Sequence, residues 1–182
     1  DISTSFESWK KWALHNNIHP LIIGFLAAKP DLLNTFDSSN ENLAFATPRS
    51  WEMTSNILNN ISDNLDESYS LIAGLVGSGI AYDLKAWSTV YFKLPKVEDI
   101  FKGKVSIVPK NVSEIYSLCG LMINYLKNHK NDYQGLVNSI EYAMKFPKEF
   151  SLLLIEEYLS IDPNYKLKLL SFLRYIFKKS SI

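Results

Sequence analysis

The stretch "TPRSWEMTSNILNNI", residues 47–61, contains a helix start followed by a helical pattern. Thr47 can cap a helix, and Pro48 suits the first helical position, where the missing N–H of proline has no cost. Apolar side chains then recur on one helical face, at Trp51, Ile57, Leu58 and Ile61. This spacing predicts an amphipathic helix that packs on a core through its tryptophan.

The rest of the chain has the same period. Nearly every periodic segment fits a helix, and convincing alternating strands are absent from the sequence. Asn16-Asn17 should end a first helix, His19-Pro20 should begin the next, and Pro30 should interrupt it. Further helices are predicted at 69–94 (broken in two by glycines 74, 77 and 79), 112–127, 133–146, 147–160 and 163–179. We therefore predict an all-α, multi-helix bundle without significant sheet.

Composition places the chain among ordinary globular proteins. It has 182 residues, of which 47% are hydrophobic and 21% charged, and a formal net charge of zero. This length suits one domain, or two small ones with a real core. Zero net charge argues against a general nucleic-acid binder, so no nucleic-acid partner is expected. No apolar run approaches the roughly 20 residues that a membrane span needs.

The lone cysteine and the first residue bear on the origin of the chain. Cys119 lies in an apolar helical run and cannot form an internal disulfide, which predicts a buried structural thiol and a reducing, cytoplasmic location. The chain begins at Asp1 without a methionine or a signal peptide. We therefore expect it to be a piece of a longer protein.

Two histidines have a spacing that could ligate a metal ion. His15 and His19 are four residues apart, but Asn16, Asn17 and Pro20 disfavour a continuous helix there. No cysteine or carboxylate cluster lies nearby in the sequence to complete a site. We expect no metal here, and we interpret His19 as a residue that caps the helix beginning at Pro20.

The glycine-rich stretch "GLVGSG", residues 74–79, has two interpretations. It lacks the Lys-Ser/Thr of a Walker A loop, and no strand precedes it as in a dinucleotide-binding turn or a G-x-S-x-G nucleophile elbow. Helix packing or a helix break therefore explains it better than a phosphate-binding loop.

Charged clusters offer weaker candidates. Two carboxylate groups have no histidine or lysine arranged around them in sequence and are interpreted as solvated faces: Glu156-Glu157, and Asp63 with Asp66 and Glu67. The tail "KLKLLSFLRYIFKK" carries only basic charges, at Lys166, Lys168, Arg174, Lys178 and Lys179. Such a helix could touch anionic lipid or a partner, although packing of its apolar stripe on the body is the simpler interpretation.

Arg49 is an unexpected residue at its position. It falls in the first turn of the predicted helix, where the positive end of the helix dipole makes a cation unfavourable by a few tenths of a kcal/mol. A surface arginine would explain it, and so would an anionic ligand.

Four stretches together resemble the C-terminal portion of one subgroup of MoxR-type AAA+ ATPases. They are "WKKWALHNNIHPLIIGFLAAKPDLL", "AFATPRSWE", "IAGLVGSGIAYDL" and "LPKVEDIFKGKVSIVPKNVSEIYSL". The second stretch is the most specific, and the order of the four is more specific than any one of them. The resemblance covers roughly residues 6–126, and the helices after it have no counterpart.

The resemblance implies a domain organisation and a function. Residues 1–46 would be a helical linker or extension, 47–128 a lid-like region, and 129–182 a C-terminal helical extension. Arg49 would be the sensor 2 arginine that contacts the phosphates of ATP, with Thr47 beside it and the free N–H groups of the helix start facing the anion.

The same resemblance implies cofactors and partners. The core with the Walker motifs would precede Asp1 in the same polypeptide and would bind ATP and Mg, so this chain alone should bind no cofactor and hydrolyse no ATP. The whole protein would be a chaperone-like remodeller in a homo-oligomeric ring, with a possible partner containing a von Willebrand factor A-type domain.

Two other functions remain open from sequence. The chain could be a free-standing helical interaction module without nucleotide chemistry, or a peripheral membrane-surface protein that uses its basic tail. The sequence upstream of Asp1 discriminates the first of these from a lid, because only an ATPase would have a Walker A loop there.

Overall fold

The computed structural model describes residues 5–37, 44–60 and 65–170. Every regular element in these three ranges is helical, and none of their residues lies in a strand. The predicted all-α class is therefore confirmed.

The described ranges contain nine α-helices with both ends defined and one short 3-10 helix, Pro30–Leu33. The α-helices are α1 Phe6–His15, α2 Pro20–Ala28, α3 Pro48–Leu58, α4 Tyr69–Val76, α5 Ser78–Tyr91, α6 Val97–Phe101, α7 Val112–Asn128, α8 Tyr133–Ala143 and α9 Lys148–Ile161. Residues 165–170 are also helical.

The junction between α1 and α2 forms as the sequence predicts. Asn16 caps the end of α1, and Asn17 has a positive φ of 55°, a conformation that asparagine tolerates better than most residues. His19 then caps α2, because its Nδ1 accepts the backbone N–H of Leu21 at 3.2 Å. Pro20 occupies the first helical position.

The glycine-rich stretch is a helix break, as expected, and the break lies at one residue. Gly77 ends α4 and precedes α5 with φ 92° and ψ 147°, a backbone conformation that is open in practice only to glycine. Gly74 and Gly79 lie inside the two helices, and a Cβ added to either would have no described atom within 4 Å beyond its own helical surroundings. These two glycines therefore do not make the turn.

The chain divides into two compact units, the first of which comprises residues 1–94 and 110–120. Its core includes Trp51 and Phe25, whose ring centroids are 5.8 Å apart. Helix α2 approaches the first half of α7 very closely, since a Cβ on Gly24 would lie 1.8 Å from the hydroxyl oxygen of Ser117. That hydroxyl donates to the carbonyl of Pro20 at 3.1 Å. Small residues thus allow this crossing.

The second unit comprises residues 95–109 and 121–182. Side chains of α8 hold its irregular segments: Asn138 donates to the Phe101 carbonyl at 2.8 Å and Tyr142 to the Ile107 carbonyl at 2.7 Å. Of the predicted tail helix 163–179, residues 165–170 are helical, with Tyr165 and Leu169 buried. Residues 171–182, which include Arg174, Lys178 and Lys179, lie outside the described residues.

The two units have different boundaries from the predicted segments 1–46, 47–128 and 129–182. Those segments are defined by resemblance to a lid, so they stay a prediction. Within the described ranges, the chain has no helix that is both long enough and apolar enough to cross a membrane.

Candidate functional site

Arg49 lies in the first turn of α3 and is exposed. Within the described ranges, no hydrogen bond, ion pair or ring contact involves its side chain. The structure therefore places the guanidinium in solvent at the amino end of a helix, as an arginine that could bind an anion.

A reciprocal pair of hydrogen bonds closes the start of α3. The backbone N–H of Ser50 donates to the Thr47 hydroxyl oxygen at 3.1 Å, and the backbone N–H of Thr47 donates to the Ser50 hydroxyl oxygen at 2.8 Å. This is a capping box with serine in the place of the usual glutamate or glutamine. The Thr47 hydroxyl is therefore engaged in holding the helix end.

This cap corrects the expectation of several free N–H groups facing an anion. Pro48 has no N–H, and the amides of Thr47 and Ser50 are already bonded. Among the described residues of this helix start, the backbone N–H of Arg49 is the donor that stays available. Any anion held here would depend mainly on the Arg49 side chain.

Buried contacts of Trp51 fix α3 in the first unit. Trp51 is fully buried, and its indole N–H donates to the Leu32 carbonyl at 2.9 Å. The predicted role of Trp51 as an anchor is confirmed. Because Arg49 is only two residues away, it projects from a well-anchored element.

Two exposed aromatic rings lie close to the start of α3. Phe36 and Phe45 have ring centroids 5.0 Å apart and are 59% and 36% exposed. The Phe45 carbonyl is near the Ser50 hydroxyl, at 3.5 Å. No local spacing indicates this pair, because the two residues are nine positions apart and only the fold brings them together. Their position at the ends of a polar, turn-rich stretch was the available signal.

A buried lysine was also missed. Lys10 is 6% exposed, and its ammonium donates to a Glu7 carboxylate oxygen at 2.7 Å and to the Tyr116 hydroxyl at 2.6 Å. Burial by itself would lower the pKa of Lys10, but the two hydrogen bonds and the electrostatic attraction of Tyr116 and Glu7 together outweigh it, so the pKa is raised. The ammonium also lies 4.4 Å from the centroid of the Tyr116 ring. A lysine held this way stays charged and is therefore a poor nucleophile. Its contacts join α1 to residues 110–120.

One of the two histidines has a structural role in the fold. The Nδ1 of His19 accepts the Leu21 amide, so this nitrogen is occupied by the cap of α2. Across the ranges that the structure describes, no group of three histidine, cysteine or acidic residues could hold a metal ion.

One carboxylate, Glu157, differs from the predicted solvated faces. Glu157 is only 6% exposed, and its charge acts on Lys127, whose pKa is lowered by burial and partly restored by that carboxylate. Asp66 is exposed, as expected, and forms an ion pair with Lys85, a partner distant in sequence. Glu156 and Glu67 are exposed as expected, and Asp63 lies outside the described residues.

The lone cysteine lies in the core. Cys119 is fully buried in α7, and this burial raises the pKa of its thiol far above the ordinary value. It is therefore an inert core residue, as predicted.

Comparison with known proteins gives the chain no relative. No protein-family model, no curated protein and no solved structure matches it. The resemblance to MoxR-type AAA+ ATPases therefore stays a prediction from the order of the four stretches in the sequence.

Proposed function

We propose that this chain is the helical lid and C-terminal region of a MoxR-like AAA+ ATPase, and that Arg49 is its sensor 2 arginine. One observation carries the proposal: an exposed arginine, without a partner in the described ranges, lies in the first turn of a helix that a fully buried tryptophan anchors. A cation is unfavourable at a helix start, and a contact between the guanidinium and phosphate would offset this cost.

The chemistry of a guanidinium suits that role. Its planar fork of donors matches two phosphate oxygens, and such charge-assisted hydrogen bonds are about twice as strong as neutral ones. The free backbone N–H of Arg49 and the helix dipole add attraction for the same anion. Thr47 contributes indirectly, because it shapes the helix start that presents Arg49.

The remainder of the proposal follows from the family. ATP and Mg would be bound by a core in the same polypeptide, and hydrolysis would move the lid relative to that core. The whole protein would act in the cytoplasm as a chaperone-like remodeller, in a homo-oligomeric ring, with a possible partner that contains a von Willebrand factor A-type domain.

The first test is the gene upstream of the codon for Asp1. We expect it to encode a Walker A loop followed by a Walker B strand. An open reading frame that starts immediately before Asp1 would contradict the proposal and favour the alternative, a free-standing helical interaction module.

The second test substitutes Arg49 in the polypeptide that includes the core. Arg49→Ala should lower ATP turnover about 10- to 1000-fold, because contacts to a transferring phosphoryl group strengthen in the transition state. Arg49→Lys should restore activity only partly, since an ammonium is a point charge. Stability should change little, because Thr47, Pro48 and Trp51 stay intact. The measurements are steady-state phosphate release and thermal melting.

Trp51→Ala is the matched control two residues along the helix. It removes a fully buried indole and its hydrogen bond to the Leu32 carbonyl, so it should lower the free energy of unfolding by about 3–5 kcal/mol. Full ATP turnover in Arg49→Ala would return this arginine to the role of an ordinary surface residue.

A further inference from the structure

Thr35 makes two hydrogen bonds to the residue before the cap of α3. Its backbone N–H donates to the Ala46 carbonyl at 2.8 Å, and its hydroxyl oxygen accepts the Ala46 backbone N–H at 2.9 Å. Ala46 is fully buried, so its amide cannot turn to water instead. Both backbone groups of Ala46 thus depend on one threonine.

A second element abuts the same segment. A Cβ on Gly77, at the corner between α4 and α5, would meet the Ala44 carbonyl oxygen at 3.3 Å. The backbone from Ala44 to Ala46 is therefore confined by Thr35 and by the glycine corner. Thr47, the cap of α3, follows Ala46 directly in sequence, so this segment leads into the start of the helix that carries Arg49.

We propose that Thr35 is a positioning residue for Arg49, an inference that rests on the proposed function. Thr35 fixes the backbone that enters α3 and so fixes the direction in which the guanidinium points. The hydroxyl oxygen is the essential group, because it is the only side-chain acceptor for the Ala46 amide among the described contacts. Displacements of about 1 Å at such a group are large enough to cost much of its catalytic effect.

Hydrogen exchange in the 182-residue chain tests whether the Thr35 hydroxyl protects the Ala46 amide. Thr35→Val keeps the shape of the side chain but removes the acceptor, so the Ala46 amide should exchange at least about tenfold faster. Thr35→Ser keeps the acceptor and should restore protection, and Thr35→Cys, a weak acceptor, should be intermediate. Thr54→Val is the control, because it deletes a buried threonine hydroxyl that bonds the Ser50 carbonyl within α3. If Thr35→Val does not fold, the other two variants still test the inference. The Ala46 amide should then exchange more slowly in Thr35→Ser than in Thr35→Cys, and any other result overturns the inference.

ATP turnover in the polypeptide that includes the core tests whether Thr35 positions Arg49. Thr35→Val should lower kcat/KM several-fold, with the loss divided between kcat and KM in the same proportion as in Arg49→Ala, and Thr35→Ser should rescue it. Added to Arg49→Ala, Thr35→Val should cause no further loss, because both act on one contact. A merely structural threonine would give additive losses and would resemble Thr54→Val.

The outcomes separate the two proposals. Normal turnover in Arg49→Ala overturns the proposed function and this inference with it. If Arg49→Ala lowers ATP turnover, but Thr35→Val has no effect or an additive one, only the role of Thr35 is overturned. Unchanged exchange at Ala46 in Thr35→Val also overturns it, whatever the activity.

Discussion

For individual residues, burial decides what a polar side chain does. Arg49 and Trp51 are two positions apart on α3, yet one is exposed and the other fully buried. Lys10 and Glu157 are charged residues in buried positions, and both have opposite charges acting on them. A buried charge needs such a partner, because desolvation without one would cost several kcal/mol.

Tyr142 should make stability depend on pH in the alkaline range. It is buried, its hydroxyl donates to the Ile107 carbonyl, and burial raises its pKa to about 12, compared with about 10 in an unfolded chain. Between these values the folded state keeps a proton that the unfolded state has lost. This contribution to stability is therefore complete below about pH 10 and declines as the pH rises towards 12.

Tyr142→Phe measures this contribution. It should lower the free energy of unfolding by about 1 kcal/mol at pH 7, through the lost hydrogen bond, and should flatten the decline between about pH 10 and 12. Urea unfolding of both proteins at pH 7, 10 and 11.5 provides the comparison. Tyr82→Phe, at an exposed tyrosine, is the control. An equal decline in the wild type and in Tyr142→Phe would contradict this account.

Among the helices and their connections, one glycine turns the chain between two elements. The N–H of Gly77 donates to the Ala73 carbonyl, and its carbonyl accepts from Ala81, so the same residue closes α4 and opens α5. Gly77→Ala should lower the free energy of unfolding by about 1–3 kcal/mol, because alanine is strained at φ 92° and ψ 147°.

Gly74→Ala is the matched control for that prediction. Gly74 lies within α4, and an added Cβ would meet nothing within 4 Å among the described residues outside its own helical surroundings. Replacement by alanine should leave stability unchanged or raise it by up to about 1 kcal/mol, through the lower backbone entropy of the unfolded chain. The measurement is the free energy of unfolding of the two variants, from thermal or urea unfolding. Equal effects would show that the corner does not depend on glycine.

At the scale of the whole molecule, the prediction concerns ATP hydrolysis by the 182-residue chain. The sequence has no Walker lysine, and no strand in the described ranges positions a carboxylate for magnesium. We therefore predict that the purified chain releases no phosphate from ATP above the buffer background. A steady-state activity that persists through repurification and elutes with the chain would contradict the interpretation as a lid.

Local sequence was enough to locate the starts and ends of several helices. Proline, glycine and capping side chains act on their immediate neighbours, so His19-Pro20, Thr47-Pro48 and the glycine-rich break could be recognised without a fold. The periodic apolar face of α3 likewise identified Trp51 as core. These features depend on interactions within a few residues, which is the range that a sequence pattern records.

Folding was needed to establish which groups meet across long separations. Thr35 with Ala46, Lys10 with Tyr116 and Asp66 with Lys85 are pairs that no local spacing indicates. The same holds for the buried position of Glu157 and for the hydrogen bond that the Thr47 hydroxyl oxygen accepts from the Ser50 amide. The physical reason is that hydrogen bonding and burial depend on the neighbours that folding brings together. The sequence could therefore name Arg49 as a candidate, but its exposure and the bonds that hold its helix are properties of the fold.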